Sequence, residues 1–514
     1  MSAPLLTFWQ VLLAASPILF LLALMVGLRW GAQRAGPVSW LLGVGVAALA
    51  FGLTFDAWWV SQARGVLLAL YVLAVLWPAL LLYNLVDRTG GIRALAEGMR
   101  QLIADRGLLL VTLAWAFSGL LEGLAGFGLP VAVVSPMLAA LGVEPVLAVA
   151  AVAIGHAWSV TFGDMGVIFQ TLIAVSKMDG QELAPAAALM CGVAAVLCGL
   201  ACARLLAGRQ GGIKLAAQVT GLGLLMAGVQ YGLAVGGLAP LAAFGAGLAG
   251  MAGAAVIGRG QHAPAVRPGP AWPPALIGAL AAYGGLAALM GAIAWPGALR
   301  AALFSTAWSL TFPEVATRTG FITPAGPGQV FRPLVHPGTA ILLAALLAFV
   351  LFRRARLCAP GDFAAAARAT WRSAAPASLG ILSTVCLSTL MEHAGMTQLL
   401  AQAAASLMGA AFPLVSPLVG ILGAFATGSN NNSNVLFAPL QKSVAGLLNI
   451  DPRLLLGAQT AGGALGSMLA PAKITVGCST VGLKGREGDV LRRTLLVGLV
   501  IGMLIGALAL GLAS

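Results

Sequence analysis

Between Ser118 and Gly166 the chain reads SGLLEGLAGFGLPVAVVSPMLAALGVEPVLAVAAVAIGHAWSVTFGDMG, apolar enough for a bilayer yet holding what a simple spanning helix avoids. Glu122 follows an uninterrupted apolar run, Gly123, Gly126 and Gly128 permit close or left-handed backbone, and Pro130, Pro136 and Pro145 each remove an amide donor. Lipid offers no partner for the amides and carbonyls freed by such breaks, so this backbone must be buried in protein or line a wet cavity. The stretch is expected to form a binding site.

Only 8% of the 514 residues are charged and 60% are hydrophobic, with a mean hydropathy of +0.98, too little polar surface to cover a soluble globule. The chain reads as a polytopic membrane protein. Its net charge of +13 would point to nucleic acid in a soluble protein, but most Arg and Lys fall in short connections, where they set topology and mark no nucleic-acid surface. Cys191, Cys198 and Cys202 share one apolar run without CxxC or Cys/His spacing and read as inert thiols, so no metal or other cofactor is expected. No basic segment precedes the first apolar run, which is therefore expected to stay as a helix, and residues 1–514 read as one integral membrane transporter domain.

Apolar runs near Phe8 to Leu28, Val38 to Thr54 and Gly65 to Leu85 open the protein. Arg29 and Arg34 follow the first run, and Arg88, Arg93, Arg100 and Arg106 follow the third, which places those ends in the cytoplasm and the N-terminus in the periplasm. Ile92, Leu95, Met99, Leu102 and Ile103 recur at helical spacing among charges, as in an amphipathic surface helix or a solvated connector. Further runs follow to Phe352, with a Pro/Arg linker around Ala263 to Pro274 read as cytoplasmic and a polar stretch from Arg300 to Pro337 read as external. Basic clusters at Arg353 to Arg372 and Lys484 to Arg493 are cytoplasmic in this scheme, leaving the C-terminus periplasmic as well.

A second broken stretch runs from Gly423 to Gly477 and repeats the punctuation of the first. Pro136 corresponds to Pro439, Glu144-Pro145 to Asp451-Pro452 after a four-residue insertion, and Gly155 to Gly462 at the same offset. Interrupted segments in corresponding positions of two halves point to the midplane site of a secondary transporter. The expected architecture is all-α, with about 12 to 14 transmembrane segments and two repeats, cores near 108–206 and 376–480, containing broken, re-entrant helices.

A carboxylate at membrane depth costs on the order of 3 kcal/mol and needs a partner or a purpose. Glu122 and Asp164 are the candidates for proton coupling, the alternative for Glu122 being a cap on a helix N-terminus. The run Ser429, Asn430, Asn431, Asn432, Ser433, Asn434 offers side-chain donors and, if a helix starts there, free amides that suit an anion; the bland reading is a turn that caps its own helix. Lys473 is a counter-ion for substrate or carboxylate unless it snorkels to an interface. His156 is either a site residue or a satisfied buried histidine, while Gly126 and Gly128 would bring backbone close to substrate.

The segments GLLEGLAGFGLPVAVVSP, GHAWSVTFGDMG, TGSNNNSNVLFAPLQ and AGGALGSMLAPAKITVGCSTVGLKGREGDVLRRTL resemble the bacterial L-lactate permease family over nearly the whole chain. The resemblance puts Glu122, Gly123, Gly126, Phe127, Gly128 and Pro130 in a first family motif and Gly428, Ser429, Asn430, Ser433 and Asn434 in a second. It implies import of a small monocarboxylate such as lactate or glycolate with protons, by a protein that is not an enzyme and whose partners are the acid, protons and the bilayer; a homo-oligomer is compatible with it. Leu129, His156, Trp158 and Lys473 depart from the family pattern, which leaves the exact substrate open. A carrier of another small organic anion coupled to Na+ is the alternative, ahead of a membrane-embedded transferase or a channel.

Overall fold

The computed structural model describes residues 8–28, 30–91, 94, 103–126, 128–207, 212–259, 273–294, 298–483 and 486–513. Most of the expected surface helix (Ile92, Leu95, Met99, Leu102), most of the linker after Ala263, Phe127 and Lys484 lie outside these residues.

Among the described residues the protein is built of helices; the strands are four pieces of two residues, Thr311–Phe312 paired with Gly326–Pro327 and Val315–Ala316 with Ile322–Thr323. Ten described stretches are long and apolar enough to cross a membrane. That is fewer than the sequence led us to expect, for two reasons. Gly212–Gly258 is two helices turned at Gly237 (φ 81°), and Gly245 facing Leu233, Gly250 facing Met226 and Gly253 facing Leu222 show them running antiparallel. The first broken stretch, moreover, continues past its entering helix in Leu129–Ala140, Pro145–Ala157 and Asp164–Ser176, each too short to count as a span.

The first broken stretch enters along Arg106–Leu124, which Asp105 starts by accepting from the Leu108 amide at 2.7 Å. A π turn at Leu113–Phe117 widens this helix, and it stops where Ala125 becomes extended and Gly128 takes φ 84°, a conformation open to glycine without penalty. The next two helices, Leu129–Ala140 and Pro145–Ala157, are about 18 to 20 Å long at helical rise, little more than half the bilayer core. They form a re-entrant hairpin, turned at Gly142 (φ 83°) and restarted by Glu144, whose carboxylate accepts from the Leu147 amide at 2.9 Å. The chain then passes a left-handed turn at Asp164, Met165 and Gly166 and leaves along Val167–Ser176.

The second stretch has the same order of parts. Phe412–Thr427 ends at Gly428 (φ 72°), Asn430–Leu448 runs to a turn at Asn449, and Asp451 caps Pro452–Gly466 by accepting from the Arg453 amide at 2.9 Å. A short turn at Ser467–Leu469 leads to Pro471–Thr480. In each stretch one glycine lets the hairpin lie against the entering helix: a methyl group on Gly155 would strike the Ala114 carbonyl, and one on Gly462 the Pro417 carbonyl.

The hairpins enter from opposite faces. The tip of the first lies beside the start of its own entering helix, since Arg106 donates to the Leu141 carbonyl at 2.9 Å. Near the tip of the second, Lys442 donates to the carbonyl of Ser176, the residue at which the first stretch ends, at 2.6 Å. Consequently the broken ends of both hairpins meet in the interior.

Candidate functional site

Where the broken ends meet, side chains from the two stretches form two adjoining polar clusters. The first is charged. Asp164 accepts a short hydrogen bond from the Gly126 amide, and Lys473 Nζ lies 3.5 Å from Glu122 Oε1 and donates to Ser467 Oγ at 2.6 Å. Gly126 sits between the carboxylates: a side chain there would begin 2.6 Å from Glu122 Oε1 and 2.9 Å from Asp164 Oδ2. Only glycine fits. Glu122 is 1% exposed and the Lys473 side chain 13%, so this is a desolvated ion pair and not a surface contact. Glu122 Oε2 has no hydrogen-bond partner.

Local backbone explains the placement. Glu122 stands in the last turn of its helix, and among the described residues its carboxylate meets Lys473 and accepts from no backbone amide. Asp164 and Met165 adopt φ 50° and 54°, a left-handed conformation that costs non-glycine residues about 1 to 3 kcal/mol each and turns the Asp164 carboxylate toward the Gly126 amide. Lys473, on the first turn of Pro471–Thr480, pairs with the Glu122 carboxylate.

The second cluster is neutral and surrounds the start of Asn430–Leu448. Ser429 holds the N-cap position with extended backbone and makes no side-chain cap, so the Asn-rich run does not close its own helix end in the way the bland reading required. Asn430 Nδ2 donates to the Thr460 carbonyl at 3.1 Å and to Thr161 Oγ1 at 3.3 Å, and Asn434 Nδ2 donates to Thr460 Oγ1 at 2.9 Å. Thr171 donates a short bond to Asn431 Oδ1. The bonds to Thr161 and Thr171 join the second hairpin to the segment that follows the first, while those to Thr460 tie the second hairpin's own arms together. Three side-chain atoms at this helix start are buried without partners: Asn430 Oδ1, Asn431 Nδ2 and Asn434 Oδ1. Buried polar atoms normally pair, so such a group at a helix start is suited to a polar ligand.

His156 is fully buried; its Nδ1 donates to the Val152 carbonyl at 2.8 Å and its Nε2 has no partner, so no hydrogen bond joins it to either cluster. Gly128 faces the Lys473 stem, a side chain there beginning 3.8 Å from Cγ. The sequence reading passed over Thr161, Thr171, Thr460 and Ser467, which supply most of the hydroxyls. Their signal was faint, an isolated hydroxyl residue in each apolar Gly-rich segment.

The model of the L-lactate permease family matches residues 10–263 and 301–513. The chain belongs to that family. The glycolate permease GlcA of Escherichia coli strain K12 is 27% identical over 98% of this chain and 95% of its own length, and the L-lactate permease of Bacillus subtilis strain 168 is 26% identical over 96% and 94%. Among solved structures, the YdaH transporter of Alcanivorax borkumensis is similar at 16% identity and a TM-score of 0.47, over 85% of this chain and 84% of that one. As a member of a permease family, the chain is a multi-pass membrane transporter and not an enzyme.

Proposed function

We propose that this permease imports a small 2-hydroxy monocarboxylate of the lactate and glycolate type together with a proton, at the junction of two structurally repeated broken hairpins whose cores lie near residues 108–206 and 376–480. The observation that carries this reading is the grouping of two buried carboxylates and one ammonium beside an incompletely paired helix start. With Glu122 and Asp164 ionised and Lys473 charged, the cluster bears one net negative charge. An arriving carboxylate would add a second, at a depth where each uncompensated charge costs on the order of 3 kcal/mol. One proton taken up with each anion returns the site to the charge it had when empty. A proton on Glu122 also releases Lys473 to the substrate carboxylate, while the amides at Asn430 to Asn432 and the free Nδ2 of Asn431 supply further donors. The relatives' names, a glycolate permease and an L-lactate permease, support the substrate class. In this reading both termini are periplasmic and the basic loops face the cytoplasm.

The test is uptake of labelled glycolate and L-lactate by proteoliposomes under imposed gradients, with propionate as the analogue lacking the hydroxyl. An acid-outside pH gradient should drive accumulation of both hydroxy acids in the absence of Na+, with propionate a poor competitor. Accumulation driven only by a Na+ gradient, or none by pH, would overturn the proposal. Within the site, Asn431→Ala removes a donor that has no partner in the protein. The loss of one hydrogen bond to a charged ligand corresponds to a dissociation constant raised about tenfold to a hundredfold, measured by equilibrium binding of glycolate to the purified variant.

A further inference from the structure

A cavity of about 970 Å³ lies apart from both clusters, on the side of the molecule where Ser176 ends the first stretch. Among the described residues its lining carries three cations, Arg64, Lys177 and Arg332, against two carboxylates, Asp179 and Glu392. Lys177 and Glu392 cancel each other in an ion pair of 2.5 Å. Arg64 is different. One of its terminal nitrogens donates to the Gly326 carbonyl at 3.3 Å, its guanidinium lies 5.1 Å from the centre of the Phe312 ring, and among the described residues no carboxylate lies within ion-pair distance of it, Glu392 acting on it from farther off; its Nε is buried with no partner. His336, also in the lining, is buried; its Nδ1 accepts from the Gly338 amide at 3.2 Å, which fixes the proton on Nε2.

The floor of the cavity adjoins the site. Gln170, in the lining, is next to Thr171, which donates to Asn431, and Ser388, also in the lining, donates to the Val435 carbonyl of the helix that starts at Asn430 at 2.7 Å. An anion entering here would meet Arg64 before the floor that adjoins the Asn-bearing helix start.

We propose that this cavity is the outer vestibule of the permease and that Arg64 forms in it a capture site for small carboxylates, distinct from the hairpin site and loading it. The proposal rests on the transport function inferred above for its ligand, and on the cavity and its charges for its position. A fixed cation in a low-dielectric funnel raises the local concentration of anions and the rate at which they reach the floor.

The six native cysteines are all buried, so a cysteine placed at Gln329, in the cavity lining, can be probed in intact cells with impermeant thiosulfonates of opposite charge. In the Gln329→Cys protein the anionic reagent should react faster relative to the cationic one than with a free thiol, and glycolate should slow it. Arg64→Gln should abolish that preference and raise the KM for glycolate uptake about fivefold, the equivalent of one half-exposed ion pair, with the maximal rate unchanged. Arg64→Lys should restore both, since it keeps the charge and loses the guanidinium contacts. An unchanged KM in Arg64→Gln, or a raised KM with the reagent preference intact, overturns the capture site. The reagent preference reads the vestibule even if neither acid proves to be transported, so failure of the substrate assignment and failure of the capture site give different results.

Discussion

Glu122→Gln is expected to abolish accumulation driven by a pH gradient while leaving counterflow exchange of the same acid in place. The substitution keeps the shape of the side chain and its capacity to accept from Lys473, and removes the one property that the coupling requires, a carboxylate that gains and loses a proton. Glu122 is the natural carrier because it sits between two states: paired with Lys473 at 3.5 Å when ionised, and leaving that ammonium to the substrate when protonated. In Glu122→Gln the site is held permanently in the second state. The variant should therefore bind glycolate with an affinity that no longer varies with pH, and should equilibrate the acid across the membrane without concentrating it. Accumulation of wild-type size in Glu122→Gln proteoliposomes would remove Glu122 from the coupling step and make Asp164 the proton carrier.

The sequence marks where the backbone breaks far better than it marks what the breaks bring together. Glycine and proline act on their own residue, so the stop at Gly128, the turn at Gly428 and the restarts at Glu144-Pro145 and Asp451-Pro452 are all legible before any fold is known. The same holds for Asn430 as a helix start. The pairing of Lys473 with Glu122 spans 351 positions and follows no local period, and the bond between Thr161 and the Thr460 carbonyl spans 299. Such contacts depend on two hairpins entering from opposite faces and on close approaches at Gly155 and Gly462, which the sequence marks as matching positions of the two stretches without showing what lies against them. The vestibule was invisible for the same reason, its wall being gathered from distant segments that each look like an ordinary helix end.

The charge balance of the site makes Lys473→Met the more severe of the two central substitutions. Methionine keeps the aliphatic stem and fills the same space, but leaves Glu122 and Asp164 facing each other across Gly126 with the paired ammonium gone. Breaking a buried pair by removing one partner typically costs about 3 to 5 kcal/mol, most of it the penalty of the charge left behind. The single variant should thus unfold at a clearly lower temperature than wild type, by an amount that shrinks as pH falls and the orphaned carboxylates take up protons. Adding Glu122→Gln removes one of those charges, so the double variant should recover most of the lost stability. It should not recover binding. If Lys473 receives the substrate carboxylate, both variants lose a charge-assisted contact of about 1.5 to 3 kcal/mol and bind glycolate about tenfold to a hundredfold more weakly. Thermal unfolding and glycolate binding of the purified single and double variants separate these roles. Wild-type affinity in the stable double variant would confine Lys473 to balancing Glu122, and the substrate carboxylate would then be held by the amides and Asn431 at the start of the second hairpin alone.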